Sequence, residues 1–223
     1  MLEQGLLQVG GCVQGPIIDL GCAVGRTSFE LASLDEIVLG VDLNFSMLRL
    51  AGSVLKEGRV RYQKRRLGLV YETRSFPAPF GNSHRVDFWA CDATCLPFAS
   101  GTFNFGACIN LLDCVHSPYD HLKELARLLK PHGKAILSTP YDWNVNATPT
   151  AAWIGGHSQR STHQGASDAV LRSLMAGGGH PAAIAALRCR SEKAAVPWRL
   201  RLHDRCAMTY AVHLMVLERV AGV

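Results

Sequence analysis

The chain has 223 residues, 48% of them hydrophobic, with 23 Lys and Arg against 18 Asp and Glu and a formal charge of +5. That describes one globular domain with material for a full core; the mild, scattered charge argues against a nucleic-acid partner, and no stretch approaches the ~18 apolar residues of a membrane-spanning helix, so no membrane partner is expected. Eight cysteines make neither a CxxC pair nor a zinc set, so reduced thiols, a cytoplasmic location and no metal are expected.

Residues 1–15 read as a short, Gly-rich lead with at most one helical turn over Glu3–Gln8. Glu3, and the lack of Lys or Arg before Arg26, speak against a secretory signal. Pro16-Ile17-Ile18 is a buried strand running out in Asp19, and Gly21 and Gly25 make a tight turn into a helix over Arg26–Ser33. Ile37–Val41, a continuous apolar run ending at Asp42, is a second parallel-type strand. Asn44–Leu55 is a helix with Phe45, Leu48 and Ala51–Leu55 on its apolar side.

Residues 56–85, with Pro77, Pro79, Gly81 and the basic run Lys64-Arg65-Arg66, read as a solvated insertion or long loop with strand character at Leu67–Tyr71. Val86–Cys91 is a third strand ending in Asp92-Ala93, and Phe103–Asn110 a fourth. Pro118–Leu129 is a helix stopped by Pro131, with His116 and His121 as surface or capping residues, and Gly133–Ser138 is the fifth strand. A substrate-side loop spans 140–166, followed by a helix over Ser167–Met175. Ile184–Arg190 with Trp198–Leu202, and then Thr209–Glu218, make a closing antiparallel pair. The alternation predicts one domain over 1–223: an α/β, Rossmann-like, doubly wound sheet of seven strands, mostly parallel with a C-terminal antiparallel strand.

Ligands of open α/β sheets bind beyond the carboxyl ends of the strands, where Asp19, Asp42, Asp92 and Asn110 are expected. A glycine turn there can cradle a pyrophosphate, so a nicotinamide dinucleotide is one reading. Against it, the second glycine of GxGxxG is missing and a carboxylate precedes Gly21 by two residues. Such a carboxylate repels a pyrophosphate and suits a ligand bearing an ammonium and a sulfonium. The stretch PIIDLGCAVGRTSFE, with Ala23 in the place of a middle glycine, resembles motif I of the class I S-adenosylmethionine-dependent methyltransferases. The resemblance implies that Asp19, Gly21, Cys22, Ala23 and Gly25 serve the methionine end of S-adenosylmethionine. It likewise implies that Asp42 with Leu43 holds the ribose and Asp92 with Ala93 the adenine, Asn110 lying beside them. Leu96-Pro97-Phe98 after Asp92 is similar to the family's D-x-x-x-L-P-F segment.

From Pro16 to Arg219 the chain also resembles a narrower group, the methyltransferase domain of ovothiol biosynthesis. The likeness runs through DLGCAVGR, Asn110-Leu111-Leu112-Asp113, Pro140-Tyr141-Asp142-Trp143 and Thr148-Pro149 to Trp153-Ile154-Gly155-Gly156. Protein-histidine methyltransferases are similar over Cys108–Asp113. The resemblance implies methyl transfer to a ring nitrogen of a small histidine derivative such as thiohistidine. A ring nitrogen attacks a methyl sulfonium through a free lone pair, and an imidazole is mostly neutral at cellular pH. The enzyme then has to choose the tautomer, by accepting a hydrogen bond from the other ring nitrogen. Asn110, Asp113 and Tyr141 are the expected catalytic groups, with Asp113, Tyr141, Trp143, Trp153 and Arg160 contacting the acceptor. Cys114 stands where the family's N-L-x-D is followed by arginine, and Arg160 offers a replacement carboxylate clamp. Residues 1–15 are shorter than the segment that most members carry before the first strand. Methylation of another small molecule or of a protein histidine, or S-adenosylmethionine binding without catalysis, are the alternative readings; the oligomeric state is left open.

Overall fold

The computed structural model describes residues 1–222. In chain order it contains α1 (Leu2–Val9), β1 (Ile17–Leu20), α2 (Arg26–Ala32), β2 (Val38–Asp42), α3 (Phe45–Glu57), β3 (Arg59–Leu67), β4 (Val70–Pro77), β5 (Val86–Ala90) and β6 (Phe103–Ile109). There follow α4 (Pro118–Leu128), β7 (Leu129–Thr139), α5 (Ser167–Leu174), β8 (Leu187–His203) and β9 (Cys206–Arg219). Seven strands form one sheet in the order β5-β2-β1-β6-β7-β9-β8, and β3 and β4 pair only with each other. β5, β2, β1, β6 and β7 run parallel, and β9 lies antiparallel between β7 and β8.

The apolar runs explain this layering. All four residues of β1 are buried, as expected for a parallel strand covered on both faces. Ile18 and Leu20 join the core under α4 and α5 with Leu122, Leu125 and Leu171. Ile17 points the other way, into the core made with Val9 of α1, Phe29 of α2 and Val54 of α3. Helix starts are capped as their sequences direct: the Asn44 side chain accepts from the Ser46 and Met47 amides, and the Ser117 hydroxyl from that of Asp120.

Several expectations need correction. The N-terminal lead forms two helical turns, because Gly5 lets α1 lie directly on the Ile136 side chain of β7; an added Cβ there would sit 2.7 Å from it. The insertion at 56–85 is a β-hairpin rather than a loop, and Leu67–Tyr71 holds its turn. Five of the nine residues of β3 are Lys or Arg, which hides the period-two pattern. His121 is fully buried, its Nδ1 3.2 Å from the Ala93 carbonyl oxygen. Pro131 lies inside the irregular start of β7, where the register against β6 shifts. The two short C-terminal stretches before Thr209 are one 17-residue strand, β8, interrupted only by bulges.

The link between β5 and β6 carries no helix and is fastened to α4 instead. The Arg127 guanidinium donates to the Leu96 and Phe98 carbonyls and to Glu124, while Glu124 accepts the Leu96 amide. Replacing Arg127 by Met leaves Glu124 and two carbonyls without these donors. The expected cost is about 2 kcal/mol, read as a lower urea midpoint at unchanged m-value; a midpoint equal to wild type would show the fastening to be redundant.

Candidate active site

The carboxyl ends of β1, β2, β5 and β6 come together, and the chain between β1 and α2 crosses them. Gly21 and Gly25 have φ of +69° and +84°. A Cβ at Gly21 would lie 2.6 Å from the Leu111 side chain, and one at Gly25 2.6 Å from the Phe88 ring. Both positions therefore need glycine for space as well as for φ. Ala23 also takes a positive φ, +50°, stabilised from outside the turn: its amide donates to one oxygen of Asp42 at 2.9 Å, and the Asn44 amide to the other at 2.7 Å. Asp42, the last residue of β2, thus clamps the glycine turn while each oxygen keeps a further lone pair. Leu43 beside it is 73% exposed, and Cys22 is buried.

Asp19 lies one residue inside the end of β1 rather than in the turn, level with Gly40 of β2 and Ala107 of β6. It is 1% exposed and accepts the Ser28 hydroxyl of α2 at 2.6 Å. Burial pushes its carboxyl up to about 7, with the charge of Asp42 adding to the rise and the Ser28 hydrogen bond opposing it. Asp92, two residues past β5, is exposed and accepts the Thr94 amide and hydroxyl on one oxygen. Ala93 is buried against His121. Asn110 has φ +54° and accepts the Ser138 hydroxyl through its side-chain oxygen at 2.8 Å, so β6 and β7 leave the sheet tied together.

The expected acceptor residues divide. Asp113 is 2% exposed, and its two oxygens take the Thr139 hydroxyl at 3.2 Å and the Asp142 amide at 2.7 Å. It fastens the loop after β7 to the loop after β6, and burial raises its carboxyl above the usual range. Trp143 and Trp153 stack with centroids 6.0 Å apart; Trp143 Nε1 donates to the Ser167 hydroxyl and Trp153 Nε1 to the Thr148 carbonyl. Arg160 is exposed, and its guanidinium has no hydrogen-bond partner among the described residues.

Tyr141, at φ +55°, opens a chain of groups that sequence reasoning missed. Its hydroxyl lies 2.6 Å from His213 Nδ1, and His213 Nε2 lies 2.9 Å from a Glu192 oxygen. Arg172 donates to Glu192 through Nε and to Asp168. For Glu192 burial works against ionisation, but the bonds from Arg172 and His213 outweigh it and hold the carboxyl below its usual range. An ionised carboxylate only accepts, so His213 carries a hydrogen on Nε2, and in the neutral ring Nδ1 is left to accept the Tyr141 hydroxyl. Burial, with the nearby Asp168 charge, pushes the Tyr141 phenol upward, so it stays a neutral hydroxyl. Tyr141, Ser167, Asp168, Arg172 and His213 line a cavity of about 310 Å³. The one sequence signal for His213 is a polar residue within the apolar run Ala211–Leu217.

A family profile described as a methyltransferase domain matches residues 18–137. The ubiquinone biosynthesis O-methyltransferase of Xanthomonas oryzae pv. oryzae is 29% identical over 135 residues, which is 60% of this chain and 45% of that protein. Its Coxiella burnetii counterpart is 27% identical over 123 residues, 55% and 42% of the two chains. The match thus spans less than half the length of these curated relatives. A S-adenosylmethionine-dependent methyltransferase from Methanosarcina mazei shares the fold at 19% identity and a TM-score of 0.57, covering 92% of each chain. The YcgJ protein of Bacillus subtilis shares it at 14% identity and 0.58, covering 99% and 98%.

The raised carboxyl of Asp19 makes stability depend on pH. The folded protein keeps a proton that the unfolded chain releases between its ordinary 3.8 and about 7. Stability therefore falls as pH rises through that window. Asp19→Asn, which keeps shape and removes charge, should flatten the decline and raise stability near pH ~8 by about 1–3 kcal/mol, read from urea midpoints on both sides of the window. A variant as pH-sensitive as wild type would mean that another group titrates.

Proposed function

As the chain belongs to the methyltransferase domain family, whose methyl donor is S-adenosylmethionine, we propose that it methylates a ring nitrogen of a small histidine derivative of the thiohistidine type. The donor, when bound, supplies an electrophilic methyl group on a sulfonium. The residues fit it: Asp42 keeps acceptor capacity for ribose hydroxyls, Leu43 offers an apolar surface beside it, and Asp92 has an oxygen outside its Thr94 turn for the adenine amino group. Asp19 supplies a buried negative charge at the cationic end. Gly21, Cys22, Ala23 and Gly25 carry the backbone past the ligand, with Ala93 and Asn110 bounding the far side.

The observation that carries the acceptor reading is the Tyr141–His213–Glu192 chain on a cavity that also holds Arg172 and Asp168. A histidine derivative presents a ring N–H, an α-carboxylate and an α-ammonium. Tyr141, its own proton drawn toward His213, accepts the ring N–H and leaves the other nitrogen's lone pair free for attack. As the ring becomes cationic, its proton can pass to the Tyr141 oxygen while the phenolic proton moves to His213, the ionised Glu192 stabilising the imidazolium that results. Arg172 and Asp168 match the charged head group, a role expected of Arg160 from sequence. Asp113 acts through the loop that it holds, and the Trp143–Trp153 stack walls the Ser167 side.

A hydroxyl acceptor is the second reading, favoured by the same chain, because a hydroxyl must lose a proton on methylation and Tyr141 with His213 can receive it. Product analysis separates the two: incubation with histidine, thiohistidine and a catechol should place labelled methyl on a ring nitrogen. Methyl found on oxygen or sulfur would overturn the imidazole reading and leave the methyltransferase intact. Tyr141→Phe should lower kcat/KM by about 10²-fold or more with donor affinity unchanged by calorimetry. An equal loss of donor binding would move Tyr141 out of the acceptor site.

A further inference from the structure

The β3–β4 hairpin lies outside the seven-stranded sheet and ends in the turn Gly68-Leu69. A hairpin turn facing water ordinarily carries Asn, Asp or Gly, a rule that Gly68 keeps and its neighbours break. This one presents Leu67, Leu69, Val70 and Tyr71, exposed by 56%, 91%, 62% and 52%. The hairpin's two faces differ. Val60 packs toward the core, while Lys64 and Arg66 are neutralised on Asp204 at 2.5 and 3.1 Å, Glu72 standing 3.8 Å from each. The register sets Arg59, Arg61 and Arg65 on the opposite face with Tyr71, Thr73 and Ser75. Among the described residues no carboxylate lies within ion-pair distance of those three arginines; Arg59 bonds the Ser75 hydroxyl and Arg65 the Gly68 carbonyl.

An apolar tip with the unneutralised Arg65 beside it, and Arg61 and Arg59 farther along the same face of a ribbon braced from behind, matches the chemistry of an anionic lipid surface. The apolar side chains would enter the boundary between headgroups and acyl chains, and the arginines would meet lipid phosphates. A nucleic acid would reward several aromatic side chains interleaved with the arginines; this face carries one, Tyr71, beside a protruding leucine. We propose that the turn of the β3–β4 hairpin docks on anionic membrane surfaces, a peripheral contact that needs no spanning segment. No helix among the described residues is long and apolar enough to cross a membrane.

The test is co-sedimentation of the full chain with phosphatidylcholine vesicles, with and without about one-third phosphatidylglycerol. The protein should pellet with the mixed vesicles, stay in solution with the neutral ones, and be released as salt is raised. Leu69→Asp should cut the bound fraction about tenfold, as should Arg61→Glu with Arg65→Glu, with thermal melting unchanged because all three side chains are exposed. Failure to pellet, pelleting indifferent to phosphatidylglycerol, or pelleting undiminished in Leu69→Asp would each overturn the proposal. So would a wild-type dimer in light scattering that Leu69→Asp converts to monomer, since the tip would then be covered by a second copy.

Discussion

A carboxylate buried in the middle of a parallel sheet is the constraint on which this structure turns. Asp19 sits level with Gly40 and Ala107 on the neighbouring strands, where small residues leave room for it. Ionising it there costs far more than in water, and one hydroxyl bond from Ser28 does not offset the burial, as its rise to about 7 shows. Such a group is out of place in a sheet built for stability alone. It makes sense beside a cation, and the donor of this family brings a sulfonium and an ammonium. The glycine turn is arranged around the same need: Gly21 clears Leu111, Gly25 clears Phe88, and Asp42 fixes the amide of Ala23.

The loops after β6 and β7 are organised by a second buried carboxylate. Asp113 holds the Asp142 amide and the Thr139 hydroxyl, and Thr139 in turn accepts the Tyr141 amide. That sequence of bonds supports the left-handed backbone of Tyr141 (φ +55°), a conformation that a bulky residue rarely adopts without support. The phenol hydroxyl is thereby set against His213 on β9, two strands being needed to place one hydrogen bond. Asp113 therefore fixes the backbone of Tyr141 as well as joining the two loops.

What the sequence made legible follows from burial. Strands covered on both faces, such as Ile17–Leu20 and Val38–Asp42, are written as apolar runs, and the carboxylates at or next to their ends stand out by contrast. The hairpin at Arg59–Pro77 buries little, so its pattern is carried by Val60, Tyr62 and Phe76 among charges and reads as a loop. β8 is obscured in the same way by Glu192 and Lys193. His121 and His213 are misleading for the opposite reason: a single buried imidazole is stabilised by partners distant in sequence, Ala93 for one and Tyr141 with Glu192 for the other. No local spacing reveals such a pair.

The long ribbon of β8 and β9 does more than close the sheet. β9 pairs with β7 only as far as Thr139, opposite His213, so the residues from Cys206 to Val212, with their partners on β8, project past the carboxyl ends of the parallel strands. There Trp198 stacks on Tyr210, whose hydroxyl reaches Asp142, and the Asp204 turn meets Lys64 and Arg66 of the other hairpin, its amide donating to the Arg66 carbonyl. Partly exposed ion pairs like these are individually weak, but the backbone bond sets their register. The inserted hairpin between α3 and β5 and the terminal ribbon are thus joined beyond the carboxyl ends of the parallel strands, across the full width of the sheet.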